Sequence, residues 1–390
     1  MISLATVGIS GYARTHLRVL ETLHAAGRAR LAAAVVINPS QEPEACARLQ
    51  AEGVAILPDY ETLLREWTNR IDAVCLPTPI HFHAGMTVAA LRARWHVLVE
   101  KPLAATVSEV DAIIAARDQC DRFVGVGFQD ISLPQAQWIK GLLTSGELGR
   151  VRAIKVGALW PRPAAYFRRN GWAGRVAVNG RVVNDSPLSN ALAHFVNLAL
   201  FWAGPRPDAS GTPCGCRAEL FRANDIENFD TASIRFVLQD GVEVLFLGSH
   251  ASHEEREARI EVIAEHGRVE WINGAYVVVS RHGGAAETRP LPRPGRYVEP
   301  MWEAFLTRIA GGEAAIGTPE IARAHAMAVE LAQASAPVRT VSPAWTEVAE
   351  EITGIRDMAG TFDAAWRAGA LLSEVAAPWA GEAEKGVSNI

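Results

Sequence analysis

The sequence predicts two α/β domains in series: an N-terminal doubly wound parallel sheet, then a C-terminal α+β domain on a large open, mainly antiparallel sheet. Three observations carry this expectation. The chain's 390 residues exceed what one ordinary core organises. Up to about residue 128, short apolar runs alternate with helix-period segments, the pattern of parallel strands joined by crossover helices. After about residue 150, longer alternating segments follow one another through tight turns, which suits antiparallel pairing. The expected divisions are 1–125 for the first domain, 126–340 for the second, and 341–390 for a helical extension and tail.

Taken in order, LATVGI (4–9) is continuously apolar and reads as a buried first strand leading into a helix over about 13–26. RLAAAVVI (30–37) is the second strand. PEACARLQAEG (43–53) and DYETLLREW (59–67) read as consecutive helices, the latter with Asp59 as N-cap. IDAVCLPTP (71–79) is a buried strand stopped by prolines, and HAGMTVAALRAR (83–94) is helical. HVLVEKP (96–102) is the next strand, TVSEVDAIIAARDQC (106–120) a helix with Thr106 and Glu109 at capping-box spacing, and RFVGVGF (122–128) closes the unit. In the second domain, segments 151–160, 216–223, 231–252 with its Asp240-Gly241 turn, and 258–281 read as a meander. Helical periodicity returns over 301–312, 319–336 and 347–374, and GEAEKGVSNI (381–390) reads as a polar tail.

Composition narrows the function. Apolar residues are 49% and charged residues 21%, as in a globular enzyme. A net charge of -5 with no basic run argues against nucleic acid or an anionic membrane as partner, and favours a small molecule. The N-terminus lacks a basic, then apolar, leader pattern and reads as the first strand. Cys46, Cys75, Cys120, Cys214 and Cys216 are scattered and odd in number, which fits a reducing, cytoplasmic setting. Cys214 and Cys216 have no second ligand pair at metal spacing, so no metal is expected.

The first turn, VGISGYA, is a partial glycine-rich phosphate loop. Gly8 and Gly11 stand where glycine is needed, Ser10 replaces the second glycine and Ala13 the third, and Tyr12 follows Gly11. Its position, closing a strand and opening a helix, suits a dinucleotide pyrophosphate at the helix N-terminus. Asn38 ends the second strand where an acidic residue would hold a ribose. Asn does not repel a 2′-phosphate, which Ser40 or Arg14 could contact, so NAD and NADP both stay open.

Ligands of an open parallel sheet sit beyond the carboxyl ends of its strands. Three such ends are unusual: CLPTPIHFH (75–83), VEKPLA (99–104) and VGFQ (126–129). Together with the glycine turn and the later GELGRV, they resemble the glucose-fructose oxidoreductase / inositol dehydrogenase / rhizopine catabolism (Gfo/Idh/MocA) family. The resemblance covers most of residues 1–340. It implies a Rossmann domain that binds NAD or NADP, with Gly8, Ser10, Gly11, Tyr12, Asn38, Pro77, Thr78, Pro79, His83, Glu100, Lys101 and Gln129 toward the cofactor. It implies an active site between the domains, with Lys101 touching both substrate hydroxyl and nicotinamide ribose and a Lys101-Pro102 peptide that can be cis. It further implies a homodimer or homotetramer formed through the open sheet. Oxidising a secondary alcohol needs a base for the hydroxyl proton as hydride leaves carbon, and a lysine of lowered proton affinity can serve.

The family supplies an Asp and a His four residues apart on one helix face. Here His194 fits the histidine and Asn190 stands in the place of the acid. Asn orients a hydroxyl but cannot relay a proton, so a step that needs a carboxylate must use Asp185, use Lys101 and His194 alone, or be absent. Lys101 and His194 are expected as the acid/base groups, with Asn190 orienting the substrate. Ahead of them, LWPRPAAYFRRNGWAGR (159–175) reads as a substrate wall for a carbohydrate-like ligand, with Arg162, Tyr166, Arg168, Asn170 and Trp172 as candidates, while a solvated basic loop or a subunit contact accounts for the same residues equally well. The resemblance implies a dehydrogenase for a sugar, cyclitol or related polyol. An NAD-dependent glycosidase working by transient oxidation, and a dinucleotide-binding sensor without turnover, are the alternatives.

Overall fold

The computed structural model describes residues 1–375 and 377–381; the expected polar tail beyond Gly381 lies outside the described residues. The chain divides into two compact units, Met1–Leu133 with Gly295–Arg323, and Pro134–Pro294 with the residues from Ala324 onward.

In the first unit, β1 (Ile2–Val7), β2 (Ala29–Val35), β3 (Ala55–Leu57), β4 (Ala73–Leu76), β5 (His96–Val99) and β6 (Val124–Val126) form one sheet in the order β3-β2-β1-β4-β5-β6. All of its pairings are parallel. Helices α1 (Ala13–Ala25), α2 (Pro43–Ala51), α3 (Tyr60–Trp67), α4 (Ile80–Arg92) and α5 (Val107–Cys120) make the crossovers. The expected caps are present: Asp59 accepts from Thr62 N at 2.6 Å, and Thr106 and Glu109 form a reciprocal capping box. The sequence reading passed over β3, which at three residues is too short to show a period.

The second unit opens with α6 (Pro134–Thr144), also absent from the expectation, then β7 (Val151–Leu159), α7 (Ala164–Arg168), the small hairpin β8 (Ala177–Val178) and β9 (Arg181–Val182), and α8 (Ala193–Ala203). There follow β10 (Pro213–Arg222), β11 (Thr231–Leu238), β12 (Glu243–Ser249), β13 (Arg256–Ala264), β14 (Gly267–Ile272), β15 (Tyr276–Arg281) and β16 (Glu287–Pro290). The rest of the chain holds α9 (Val298–Ile309), α10 (Pro319–Ser335), β17 (Val338–Thr340), β18 (Thr346–Ala349), β19 (Ile352–Ile355), α11 (Met358–Ala368) and α12 (Pro378–Gly381). The large sheet runs β16-β15-β14-β13-β7-β12-β11-β10-β17. It is antiparallel except at β7·β12 and β10·β17. The simple meander needs one correction, because β7 inserts between β12 and β13 and so becomes central.

Two further expectations change. Segment 295–323, assigned from sequence to the second domain, belongs to the first unit: Val298, Met301, Trp302, Phe305 and Ile316 share a core with Leu4, Leu20, Leu23, Cys75 and Leu98. The stretch read as helical from 347 begins as the β18-β19 hairpin, and only α11 is helix.

The C-terminal extension then covers one face of the large sheet. From Ile154 to Leu159 every residue of β7 is buried, so both faces of this strand are covered. Phe362, Trp366 and Trp379 cluster with Leu159, Phe221, Leu245 and Leu247. Lys155 Nζ donates to Trp366 O at 3.1 Å, Arg256 pairs with Asp363 at 3.2 Å, and Arg235 pairs with Glu374 at 3.0 Å. Each large side chain buried there contributes about 1.5–3 kcal/mol. The chain's own C-terminal residues thus pack against β10, β11, β12, β7 and β13.

Candidate active site

The first unit gathers its candidate residues at the carboxyl ends of β1, β4, β5 and β6. After β1, Gly8 and Gly11 take φ of 102° and 58°, left-handed values that glycine adopts without a Cβ penalty. The space a Cβ would enter at either glycine is free of other protein atoms for 4 Å. The first turn of α1 carries no acidic residue, so nothing there opposes an anion at its amides. Ser10 and Tyr12 are exposed beside this turn, and Tyr12 Oη donates to Gln129 Oε1 at 2.9 Å. A dinucleotide phosphate therefore fits this turn.

Glu100 and Lys101 follow β5, and the Lys101-Pro102 peptide is cis. Glu100 is buried, with Oε1 3.0 Å from His16 Nε2 and Oε2 accepting from Lys101 N at 3.1 Å. Trp302 Nε1–H donates to His16 Nδ1 at 3.0 Å. With Nδ1 facing the indole N–H and Nε2 facing the carboxylate, the ring is fixed in orientation between Trp302 and Glu100. Gly127 permits the arrangement, since a Cβ there would stand 2.6 Å from Glu100 Oε1. Lys101 itself is partly exposed. The result is a buried chain, Trp302 to His16 to Glu100, that fixes the backbone from which Lys101 projects.

Pro77, Thr78 and Pro79 end β4, and His83 joins that end to the next. Its ring nitrogens lie 2.8 Å from Pro102 O and 2.7 Å from Thr78 O. It is 1% exposed, and burial lowers its proton affinity below the usual histidine value. Through these two contacts His83 ties the two strand ends together. At the end of β2, Asn38 is exposed. Arg14, an expected reader of a 2′-phosphate, instead forks onto Glu42 at 2.8 and 3.0 Å.

In the second unit, the segment before α8 is a π-helical turn, Pro187–Ala191, capped by Ser186 and Ser189 and closed by Leu192 N to Pro187 O at 2.8 Å. Asn190 Nδ2 donates to Asp185 Oδ1 at 2.8 Å, and Gly174 N donates to Asp185 Oδ2 at 2.7 Å. The Asp185 carboxylate thus lies beside Asn190, held by its amide and by the Gly174 N–H. His194 is half-buried in the first turn of α8.

The aromatic loop stands on β7 and β12. Trp160 N bonds Ser249 O at 2.9 Å, Arg162 N bonds His250 O at 3.1 Å, and Ala164 N bonds Glu351 O of the extension at 2.8 Å. Two guanidinium groups stand against the Tyr166 ring, Arg162 at 5.0 Å and Arg169 at 3.7 Å from its centre. Arg169 also stands 5.1 Å from the Trp172 ring. Arg168 is exposed and, with Phe167, Asn170, Gly171 and Arg175, lines a cavity of about 790 Å³. Asn170 serves chiefly as a turn former, its Oδ1 accepting from Trp172 N and Ala173 N. A smaller recess beside it is lined by Tyr166, Asp185, Pro187 and His250.

Sequence reasoning missed His16, Trp302, Arg169 and His250. His16 and Trp302 are 286 residues apart, so no local spacing links them. Arg169 was visible as half of an Arg-Arg pair, and His250 as a histidine ending an apolar strand after Gly248-Ser249.

Comparison with known proteins agrees with this architecture. Residues 2–128 match the model of an oxidoreductase family with an NAD-binding Rossmann fold, and residues 136–270 match the GFO/IDH/MocA C-terminal domain. Inositol 2-dehydrogenase of Rhizobium meliloti is 24% identical over 70% of this chain and 79% of its own length. The dTDP-3,4-didehydro-2,6-dideoxy-alpha-D-glucose 3-reductase of Streptomyces violaceoruber is 28% identical over 41% of this chain. That alignment spans 45% of the reductase, and another relative is matched over only 28% of its length, so several similarities cover less than half of the relative. An inositol dehydrogenase homologue from Azotobacter vinelandii, solved with NADH and myo-inositol, superposes with a TM-score of 0.67 at 18% identity, over 86% of this chain and 95% of that one.

Proposed function

The chain belongs to the Gfo/Idh/MocA oxidoreductase family, and on that premise we propose that it is an NAD(P)-dependent oxidoreductase acting on a secondary alcohol or ketone of a sugar, cyclitol or related polyol. Lys101 and His194 are its acid/base groups. The observation that supports the reading most is the anchoring of Glu100-Lys101-Pro102 by His16 and Trp302. A surface lysine needs no buried carboxylate, histidine and tryptophan to fix its backbone, whereas a lysine that must meet a substrate oxygen does.

Gly8, Ser10, Gly11 and Tyr12 would hold the dinucleotide phosphates, with Asn38 at the ribose and Pro77, Thr78 and Pro79 beside the ring. When bound, the nicotinamide supplies the hydride acceptor or donor. In the oxidative direction Lys101 Nζ takes the hydroxyl proton of the substrate; in reduction it returns a proton to the carbonyl oxygen. Glu100 accepts from the Lys101 backbone N–H and so holds the strand end from which Lys101 projects. Asn190 and Asp185 act as one hydrogen-bonded pair that orients substrate hydroxyls, and His194 is the second proton carrier. Arg162, Tyr166, Arg168 and Trp172 form the substrate wall.

The test is reduced-nicotinamide absorbance across sugars, cyclitols and glycosides with NAD and NADP in parallel, and a separate assay for released sugar. Net formation or consumption of reduced nicotinamide supports the proposal. Sugar release without net change would make the protein a glycosidase, and tight dinucleotide binding without either would make it a sensor.

A further inference from the structure

We infer that the substrate wall of the second unit is built for a ring that carries an oxyanion, an acidic or phosphorylated sugar or cyclitol, with Arg162 and Arg169 taking the anion and His250 accepting a hydroxyl. The inference rests on the oxidoreductase reading for its catalytic consequence, and on the geometry of this unit for its binding chemistry.

Charge distribution along the chain is the first support. Between Leu148 and Asn184 there are eight Lys or Arg residues and no Asp or Glu. Arg152 and Lys155 are taken up by Glu265 and Glu261. Among the described residues, Arg162, Arg168, Arg169 and Arg175 have no carboxylate at ion-pair distance. Arg168, Arg169 and Arg175 are exposed, whereas Arg162 is partly withdrawn from water without a counter-charge and loses solvation that a bound anion would restore.

The second support is how two of them are held. Arg162 stands 5.7 Å from the Trp160 ring centre and 5.0 Å from that of Tyr166, and Arg169 lies 3.7 Å from Tyr166. A guanidinium on an aromatic face keeps its donors in its own plane, where a planar or tetrahedral oxyanion is bound by a fork of two N–H groups. Arg162 Nε is buried without a hydrogen-bond partner, a donor that costs stability until an acceptor reaches the group.

Third, the neighbours discriminate. His250 is 2% exposed and its Nδ1 lies 2.8 Å from Trp160 O, a carbonyl that can only accept. Nδ1 therefore carries the proton and Nε2 the lone pair, on a side chain that lines a recess of about 10 Å³, room for no more than one hydroxyl oxygen. Burial, followed by the charge of Arg162, pushes its pKa down to about 3, so it stays a neutral acceptor and adds no repulsion to a hydroxyl. Burial with the nearby Asp185 raises the Tyr166 phenol, which stays a donor. Asp185 lines the same recess, but its oxygens accept from Gly174 N and Asn190. Asp225 and Glu227 border the wider cavity together with Arg168 and Arg175, so the positive excess is confined to the Tyr166 end.

The experiment pairs neutral and acidic forms of one ring: glucose with glucuronate, galactose with galacturonate, and glucose 6-phosphate as a phosphate arm. Binding is measured by calorimetry with NAD present, and turnover by nicotinamide absorbance. An acidic form preferred at least about tenfold, with that ratio lost in Arg162→Gln and Arg169→Gln variants of unchanged circular dichroism, supports the inference. The uronate and phosphate arms tell which anion is read. Equal binding of acidic and neutral forms, or a ratio untouched by both substitutions, overturns it. Should neutral sugars alone be oxidised, the oxidoreductase reading stands and this inference falls. Should uronates bind through Arg162 without hydride exchange, the reverse holds.

Discussion

The two units hold their candidate side chains by opposite means. In the first, Lys101 projects from a strand end whose backbone is fixed by buried polar bonds, Glu100 to His16 to Trp302, within a sheet closed by parallel pairings on both sides. In the second, Arg162, Tyr166 and Arg169 stack on one another in a loop, and the loop leans on β12 and on the C-terminal extension. On the proposed function, the difference separates chemistry from recognition. A proton carrier must be positioned to a fraction of an ångström, which a sheet end supplies, while a wall that selects among ligands can be rebuilt on a loop without disturbing the sheet.

The sharpest way to break this comparison is at Lys101. Lys101→Ala is expected to lower kcat/KM by about 10²–10⁴-fold, the usual cost of a lost proton carrier. Dinucleotide binding, measured by fluorescence quenching, should stay within about tenfold. Retained turnover would remove the catalytic half of the contrast.

The next effect concerns the cover of the second unit. Phe362 is fully buried and packs where Gly157 leaves room for its ring. Phe362→Ala should cost about 3–5 kcal/mol in denaturant unfolding, as for other buried phenylalanines. Dinucleotide affinity, a property of the first unit, should hold at denaturant concentrations where the variant is still folded. The same variant tests assembly: light scattering showing association only after the substitution would mean that the extension occupies a face able to pair with another copy. Stability unchanged within about 0.5 kcal/mol would show that the extension is not integral to this core.

That contrast also explains what the sequence could disclose. The first unit's strand ends were legible because each is marked by a residue with a backbone reason to be there: Gly8 and Gly11 at positive φ, Pro79 before α4, Pro102 after Lys101. The extension was not, because the alternating TEVAEEITGI carries no turn dipeptide that separates a hairpin from an amphipathic helix, and the pairing that makes it β18-β19 is visible only in space. The π turn at Pro187–Ala191 is similarly silent, since an i→i+5 bond leaves the same apolar pattern as an α-turn. The Asn190-Asp185 pair depends on that turn.

A smaller effect is expected in the pH dependence of stability. His250 is held well below the ordinary histidine value, at about 3, by burial and by Arg162. Its contribution is therefore complete above the unfolded value of about 6.5 and is lost as pH falls from there through 3, because the unfolded chain binds the proton first. In urea unfolding at pH 7, 5.5 and 4, the His250→Gln variant should lose less stability on acidification than the parent. Parallel losses would place the acid sensitivity in the carboxylates alone, and leave His250 without the buried, neutral state that its role in the loop requires.

The smallest effect returns to the first unit, where loop-like freedom does appear, at the end of β2. Arg14 and Glu42 form an exposed pair that contributes little to stability, about 0–1 kcal/mol. Their consequence is for cofactor choice: the pairing withholds Arg14 from a 2′-phosphate and keeps a carboxylate near Asn38, which disfavours NADP. Replacing Glu42 by Gln removes one negative charge and frees the guanidinium. A single charge pair at close range in water-like surroundings amounts to about 1 kcal/mol, so the NADP to NAD ratio of kcat/KM should rise on the order of fivefold. Thermal stability should stay level. A ratio that does not move would mean the dinucleotide ribose never approaches this pair, and that selection falls to Asn38 and Ser40, whose side chains bond hydroxyl and phosphate alike.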